Sequence, residues 1–291
     1  MNERNDLVQT DNSEMTSAPL QPMSFVDILD GMFSLYRSYF QLFFGIVVVY
    51  FVVGFAVNLI SVATAIDAVP STAIIISVLT TVVSILVALL VVAGLAYASA
   101  QVYLSKDITS QAALQQAWRR FFPLLGSTIL YYLVVICLSI TIIGLPFAIY
   151  FAFRWGLYTL PVLFEETTPR HALRRSTELV KGTWWRVFGI SIAITIIGFM
   201  IAFILQTSYA ILFAALTGGI GGGDADFLGM IRRLFAPTPI DIGWAYYTIY
   251  TIGSLIIAGL AMPISTIGFA LLYFDLRIRK EAFDIEMQVP D

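Results

Sequence analysis

The chain has 291 residues, of which 59% are hydrophobic and only 12% are charged, with a formal net charge of −3. A typical soluble domain is about one quarter charged, so this composition excludes an ordinary soluble protein. The sequence has no basic stripe interleaved with aromatic residues, which argues against nucleic acid as a partner. Its single cysteine, Cys137, excludes an intrachain disulfide.

The first 22 residues are polar and have no apolar core, so they predict a disordered tail instead of a signal or transit peptide. A short amphipathic helix is predicted next, because Ser24 and Asp27 have the spacing of a capping box. The apolar face of this helix consists of Phe25, Ile28, Leu29, Met32, Phe33 and Tyr36.

Long uncharged stretches follow, and each is long enough for a membrane crossing of about 20 residues. The stretch 121–164 contains no charge except Arg154, and as one helix it would be roughly 66 Å long, about twice the hydrocarbon thickness. Gly144 and Pro146 are the strongest turn signal inside this stretch. The predicted crossings are 40–66, 72–104, 121–143, 146–164, 186–217 and 243–276.

A weak internal repeat groups these crossings into three pairs. An aromatic pair followed by a glycine stands before the first, third and fifth crossings, in 39–45, 121–126 and 184–189. Thr168 and Pro169 begin a further short helix, whose inner face consists of Ala172, Leu173, Ser176, Leu179 and Val180. We therefore predict an all-α integral membrane protein with six transmembrane helices in three hairpins, each preceded by a short amphipathic interfacial helix.

The distribution of lysine and arginine predicts the orientation. With six crossings, 13 of the 16 lysines and arginines lie on the side of both termini, whereas Arg232 and Arg233 lie on the other side. The positive-inside rule then predicts a multi-pass protein of the plasma (inner) membrane with both termini in the cytoplasm. The predicted domains are a disordered cytoplasmic tail (1–22), a six-helix membrane domain (23–280) and a cytoplasmic C-terminal tail (281–291).

Arg154 lies near the middle of the predicted fourth crossing, in the stretch IYFAFRWGLYTLPVLFEE. A cation at that depth costs between about 3 and more than 10 kcal/mol, so it needs polar partners. The candidate partners at matching depth are Tyr131, Tyr132 and Ser254, together with Thr80, Thr81, Ser84 and carbonyls freed by Pro146, Pro161 and Pro263.

Three interpretations of Arg154 remain open from the sequence. In the structural one, Arg154 ties its helix to hydroxyls and freed carbonyls inside the bundle. In the functional one, it lines a wet cavity and binds an anionic headgroup or substrate. In the third, the helix boundary is misplaced and Arg154 returns to the membrane interface.

The helix after Thr168 carries a basic outer face, which is a candidate for interfacial lipid contacts. Each cation near an anionic membrane surface contributes about 1 kcal/mol of attraction. The simpler interpretation is that these residues follow the positive-inside rule and brace the bundle. The candidate lipid contacts are Arg170, Arg174, Arg175 and Lys181.

The last crossing ends in YFDLRIRKEAFDIE, which mixes acidic and basic residues. Arg277 with Glu281, and Lys280 with Asp284, have the four-residue spacing of helical ion pairs. The segment is either such an ion-paired helix or a docking surface for a cytoplasmic protein.

Catalytic and metal-binding patterns are missing from the sequence. His171 is the only histidine, so no Ser/His or Cys/His set with an orienting partner is indicated. The segment GGIGGGDADF (218–227) lacks the lysine and hydroxyl residue of a phosphate-binding loop and favours a flexible outer loop. Asp224, Asp226 and Asp241 are too irregularly spaced to favour a cation site. We predict no enzyme activity, no cofactor and no metal.

Three stretches resemble a known family: SFVDILDGMFSLYRSYFQLF, RWGLYTLPVLFEETTPRHALRRSTELVKGTWWRVFGI and LLYFDLRIRKEAFDIE. Together they are similar to the membrane domain of some bacterial glycerophosphoryl diester phosphodiesterases and its stand-alone relatives. Members fused to the enzyme carry their catalytic residues on a separate soluble barrel, and no stretch here is long and polar enough for one. The resemblance therefore implies a membrane module without phosphodiesterase activity, and it assigns no catalytic residue.

The sequence as a whole predicts a non-catalytic integral membrane module that binds membrane lipid or a membrane or cytoplasmic protein partner, accessory to transport or envelope processes. The alternative is a small transporter or permease that uses Arg154 for an anionic or lipid-like substrate.

Overall fold

The computed structural model of the protein describes residues 22–67, 70–165, 168–217, 235, 237 and 242–286. All regular secondary structure in these residues is helical, which confirms the predicted all-α fold class. Three features of the sequence lie outside the described residues: the predicted tail up to residue 21, the glycine-rich segment 218–227, and the group Arg232, Arg233 and Asp241.

The helices follow one another in the order α1 (Phe25–Ser38), α2 (Phe40–Asp67), α3 (Pro70–Tyr103), α4 (Ser110–Arg119), α5 (Phe121–Ser139), α6 (Leu145–Trp155), α7 (Thr159–Phe164), α8 (Pro169–Val180), α9 (Trp184–Thr217) and α10 (Trp244–Glu286). Six segments are long and apolar enough to cross a membrane, and α6 with α7 makes one of them. The protein is therefore a polytopic membrane protein, as predicted. A short helix, α1, α4 or α8, precedes each pair of spans.

The predicted capping box begins α1. The Ser24 hydroxyl accepts a hydrogen bond from the Asp27 N–H at 3.2 Å, and the Asp27 carboxylate accepts one from the Ser24 N–H at 2.7 Å. The Ser24 backbone N–H, and then the Ser24 hydroxyl beside the carboxylate, hold the pKa of Asp27 below its usual value. The sequence signal at this helix start was therefore reliable.

The faces of α1 and α8 agree with the sequence to different degrees. All five residues of the predicted inner face of α8 are buried, and Arg170 and Arg174 on its other face are exposed. In α1 only Ile28 and Met32 are buried, whereas Phe25 and Phe33 are more than 40% exposed. The buried stripe of α1 is thus narrower than its apolar face.

The predicted helix 146–164 is interrupted, which corrects the sequence-based boundary. α6 ends at Trp155 and α7 begins at Thr159. The physical reason is Pro161, because in a continuous helix its ring would clash with the carbonyl of Leu157. The Leu157 N–H instead donates to a group outside the helix, the Ser176 hydroxyl, at 3.3 Å.

Two other boundaries differ from the prediction. α5 ends at Ser139, four residues before the predicted residue 143, and the turn begins there. α10 continues to Glu286, beyond the predicted residue 276, so its backbone extends helically into the predicted tail 281–291.

The short helices and the last turns of α10 gather at one end of the molecule, which we call the basic end. Ser110 of α4 donates to the Leu42 carbonyl of α2 at 2.9 Å, and Gln116 donates to the Leu163 carbonyl of α7 at 3.3 Å. Lys280 of α10 donates to the Glu178 carbonyl of α8. These contacts join α4 to α2 and α7, and α10 to α8, so they link elements of different hairpins.

Three helices, α1, α9 and α10, pack closely together at Gly268. A Cβ added there would lie 2.9 Å from both the Met32 sulfur and Ile194. Met32 and Ile194 are both fully buried. The absence of a side chain at Gly268 therefore lets the first short helix approach the last two spans closely.

Candidate functional site: a basic cleft beside an interrupted helix

The interruption between α6 and α7 lies against α8. The Ser176 hydroxyl of α8 donates to the Arg154 carbonyl at 2.9 Å. The Trp155 indole N–H donates to the Thr177 hydroxyl at 3.0 Å. The first bond satisfies a carbonyl that the end of α6 leaves without a helical partner, and both bonds hold α6 to the short basic helix.

An open cleft of about 470 Å³ lies between α5, α6 and α8, and we call it the arginine cleft. Three guanidinium groups line it, from Arg154 on α6 and from Arg170 and Arg174 on α8. Its remaining wall is mainly apolar and aromatic, formed by Leu130, Phe151, Trp155, Leu173 and Thr177. Cationic side chains over an apolar wall are suited to a ligand that has both an anionic and an apolar part.

Arg154 is oriented by a neighbour one turn earlier on its own helix. Its Nη1 donates to the Tyr150 hydroxyl at 2.7 Å, and its guanidinium lies 5.3 Å from the centre of the Tyr150 ring. The Tyr150 ring stacks in turn on Trp184, the first residue of α9, with ring centres 5.7 Å apart. Arg154 therefore lies near the basic end and beside the interruption of its span, and its depth in the membrane stays a prediction.

The other predicted partners of Arg154 lie elsewhere. The Tyr131 hydroxyl donates to the Ala152 carbonyl at 3.3 Å, and Tyr132 is 54% exposed. Ser254 accepts a hydrogen bond from Gln206 of α9 at 2.9 Å. The structure thus brings Tyr131 and Tyr132 to the far side of α6 and does not bring Ser254 to Arg154.

The four candidate lipid contacts of α8 divide into two groups. Arg170 and Arg174 line the arginine cleft, and Arg174 also pairs with Glu178 at 3.0 Å. Arg175 pairs with Glu165 at 3.0 Å, and Lys181 is exposed at the end of α8. Sequence reasoning treated the four as one face, because it had no information on where α6 would lie.

A cavity of about 450 Å³ lies on the other side of α6, between α3, α5, α9 and α10, and we call it the hydroxyl cavity. Seven hydroxyl-bearing side chains line it: Tyr131, Tyr132, Tyr158, Thr159, Ser191, Thr195 and Thr266. Two of these seven, Tyr131 and Tyr132, are candidates from the sequence, but as partners of Arg154. The cavity depends on packing between distant spans, so sequence spacing offered no signal for it.

A buried ion-pair cluster at the basic end surrounds Asp275, whose side chain is fully buried. Asp275 accepts from Arg279 at 2.9 Å, from Arg186 at 3.0 Å and from the Met23 N–H at 2.9 Å. Both arginines also donate to the Met23 carbonyl, at 2.7 Å and 2.8 Å. The four-residue spacing of Asp275 and Arg279 was a usable sequence signal, whereas Arg186 and Met23 are far away in the chain.

The described residues contain no group of three or more His, Cys, Asp or Glu side chains that could hold a metal ion. His171 is exposed on the outer face of α8. Comparisons of the chain with protein-family models, with curated proteins and with solved structures find no match. They do not bear on the resemblance to the phosphodiesterase membrane domain, which stays a prediction.

Proposed function

We propose that this membrane protein binds an anionic lipid through the arginine cleft and has no catalytic step of its own. The observation that supports this proposal is the convergence of Arg154, Arg170 and Arg174 on one cleft from two separate helices. A planar guanidinium forms paired hydrogen bonds with a phosphate, which makes phosphate headgroups the preferred ligand.

The walls of the cleft support a lipid in preference to a free anion. Leu130, Phe151 and Leu173 provide apolar surface directly beside the cations. A lipid phosphate can meet the guanidinium groups while its glycerol and upper acyl carbons contact these side chains. Glu178 neutralises part of the charge of Arg174, and the cleft keeps a positive balance from the other two arginines.

The proposed orientation follows from the same cations. The basic end would face the cytoplasm, in agreement with the positive-inside rule, and both termini would lie there. Anionic lipids of the cytoplasmic leaflet of the plasma (inner) membrane would then be at the level of the cleft. A protein partner at the basic end, and a role in transport or envelope processes, remain predictions.

Lipid-dependent melting of the purified protein tests the proposal. In detergent, dioleoyl-phosphatidylglycerol should raise the melting temperature more than dioleoyl-phosphatidylcholine does. In the Arg170→Gln/Arg174→Gln variant this difference should shrink, with phosphatidylglycerol affinity falling on the order of fivefold per arginine removed. Arg154→Lys should also weaken binding, because an ammonium does not reproduce the planar fork.

Lys181→Gln is the matched control, since it removes an exposed cation of the same helix that lies outside the cleft. It should retain the full response to phosphatidylglycerol. If the double arginine variant responds as the unmodified protein does, the cleft is not the lipid site. If Lys181→Gln reduces the response to phosphatidylglycerol as much as the double variant does, the lipid is attracted by general surface charge and not by the cleft.

A second function, that of a small permease, is favoured by one observation: a span interrupted beside an internal cavity. Broken helices in transporters commonly border the substrate site. The interruption at 156–158 borders the hydroxyl cavity. Uptake of a labelled substrate into proteoliposomes, compared with protein-free liposomes, tests transport.

A further inference from the structure

The hydroxyl cavity has a buried floor and an exposed mouth. Ser191 and Thr266 on the floor are 4% and 8% exposed. Tyr132 is 54% exposed, and Gly156 and Thr195 are also exposed. Thr195 lies about three turns into α9, so the mouth lies within the membrane-spanning part of the protein. A mouth at that level opens toward lipid, and its ligand enters sideways from the bilayer.

The chemistry of the lining selects an uncharged ligand. The cavity is lined by apolar and hydroxyl-bearing side chains, and none of its lining residues is Asp, Glu, Lys, Arg or His. A charged group placed there would lose its hydration without gaining an opposite charge. The hydroxyls, in contrast, can exchange hydrogen bonds with neutral oxygen groups.

Two of the tyrosine hydroxyls are already engaged, which refines the class of ligand. Tyr131 donates its proton to the Ala152 carbonyl at 3.3 Å, so its oxygen keeps lone pairs that can accept. The Tyr158 hydroxyl is 2.8 Å from the Thr128 hydroxyl, and this pair also retains accepting capacity. A ligand with its own hydroxyl donors uses these acceptors, whereas a plain hydrocarbon does not.

The size of the cavity limits the apolar part of the ligand. Ligand pockets commonly measure about 300–1,000 Å³, and about 450 Å³ is in the lower half of that range. This space suits the headgroup and upper chain of a single-chain lipid better than a lipid with two chains. The rest of one chain would leave through the mouth into the bilayer.

We propose that the hydroxyl cavity is a binding site for an uncharged single-chain lipid with free hydroxyl groups, of the monoacylglycerol class, which enters between α5, α6 and α9. The glycerol hydroxyls bind at the tyrosine and threonine hydroxyls, and the acyl chain lies along the apolar walls toward Tyr132 and Thr195. This inference does not rest on the arginine cleft, whose proposed ligand is anionic and lies on the other face of α6.

Photolabelling of the full chain in lipid nanodiscs tests the proposal. The probe is a monoacylglycerol with a diazirine in its acyl chain, and labelled peptides are mapped by mass spectrometry. Saturable labelling should appear in 152–160 and 191–195. Unlabelled monoolein should compete with it, and oleoyl-lysophosphatidylglycerol, which has the same chain and a negative headgroup, should compete at least tenfold more weakly.

Variants separate the cavity from the general lipid-facing surface. Ala152→Leu places a larger side chain into the cavity and should abolish the saturable labelling. The control Ala193→Leu makes the same change on α9 at a residue outside the lining and should keep it. Tyr132→Phe and Thr195→Val remove single hydroxyls without adding bulk, and each should weaken competition by monoolein roughly two- to tenfold.

Several outcomes would overturn the inference. Labelling that does not saturate, or that falls only on exposed apolar residues within a span, such as Phe199 and Ile204, would leave the cavity without a ligand of this class. If Ala152→Leu is folded by circular dichroism and does not reduce the labelling, the labelled site is not the cavity. Equal competition by the lysophospholipid would exclude selection for an uncharged headgroup. If Ala152→Leu does not fold, Tyr132→Phe and Thr195→Val test the inference instead, and unchanged competition by monoolein in both would overturn it.

Discussion

Arg154 owes its position to two residues that follow it in the chain. Pro161 prevents α6 from continuing into α7, and Gly156 lies where the helix stops. Without this interruption Arg154 would lie within a longer apolar helix, at the cost expected for a cation in hydrocarbon. The sequence contained both signals, but only the packing of α8 showed that the interruption brings Arg154 beside Arg170 and Arg174.

Asp275 is the residue whose loss should destabilise the protein most. Its carboxylate is fully buried and accepts from two arginines and one backbone N–H. Breaking a buried ion pair costs roughly 3–5 kcal/mol, and Asp275→Asn should lie at the low end because Arg186 and Arg279 are about one-third exposed. Chemical denaturation in micelles measures the change.

The matched control for Asp275 is Asp30→Asn, which alters an exposed carboxylate of α1. Surface substitutions of this kind usually change stability by no more than about 0.5 kcal/mol. Equal effects of the two substitutions would contradict a special role for the buried cluster.

The lowered pKa of Asp27 predicts that the stability of the start of α1 depends on pH. This pKa is lowered in the folded protein by hydrogen bonds to Ser24. The stabilisation from the capping box is therefore fully present above the usual Asp pKa and is lost as the pH falls through the lower, folded-state value. Carboxyl-carbon NMR of labelled Asp27 should show this low midpoint. Ser24→Ala should raise it only partly, because the backbone bond remains; an unchanged midpoint would show that the hydroxyl contributes nothing.

At the scale of the helices, the sequence predicted best those features that depend on residues within a single helix. The capping box of α1 is local, as are the first-position proline and the buried stripe of α8, and the structure agrees with all three. The predicted end of α5 and the predicted continuity of the fourth crossing were wrong, and the break after α6 is held by hydrogen bonds to α8. Local patterns indicate which face is buried, but not which other helix buries it.

Alanine substitutions at two glycines, Gly144 in the α5–α6 turn and Gly189 in α9, should change stability by different amounts. A Cβ at Gly144 would overlap the Leu138 carbonyl, so Gly144→Ala should lower the melting temperature. Gly189 in α9 has no neighbour within 4 Å of an added Cβ, so Gly189→Ala should be neutral or stabilise by up to about 1 kcal/mol through its higher helix propensity. Thermal melts of both variants in one detergent provide the comparison. Similar losses in both would mean that the α5–α6 turn has no such constraint.

At the scale of the whole molecule, composition and the spacing of charges were sufficient for the membrane class and the six spans. They were not sufficient for the arginine cleft, the hydroxyl cavity or the Asp275 cluster, because each combines residues from helices far apart in the chain. The cluster joins Met23 to Arg186 and Asp275, and no spacing rule links such positions. Sites of this kind depend on how the hairpins pack, which one sequence alone does not reveal.

The proposed orientation can be tested by cysteine labelling. Cys137 is exposed and must first be replaced. Leu216 is a suitable outer position, because it is 78% exposed and lies near the end of α9, far from the basic end where α9 begins. An impermeant thiol reagent outside intact cells should label Leu216→Cys and should label Lys106→Cys, at the basic end, only after permeabilisation. The reverse pattern would place the basic end outside.

The bonds between Met23 and the Asp275 cluster also have a consequence for biogenesis. The Met23 N–H and the Asp275 carboxylate are 252 positions apart in the chain. Synthesis proceeds from the N-terminus, so α1 is made long before its partners on α10 exist. Until residues 275–279 leave the ribosome, the start of α1 has only the Arg186 side chain of this cluster available, and that only after α9 has begun. Completion of the basic end is therefore one of the last steps of assembly, and quality-control proteases that act on unfinished membrane proteins would meet α1 while it is still loosely held.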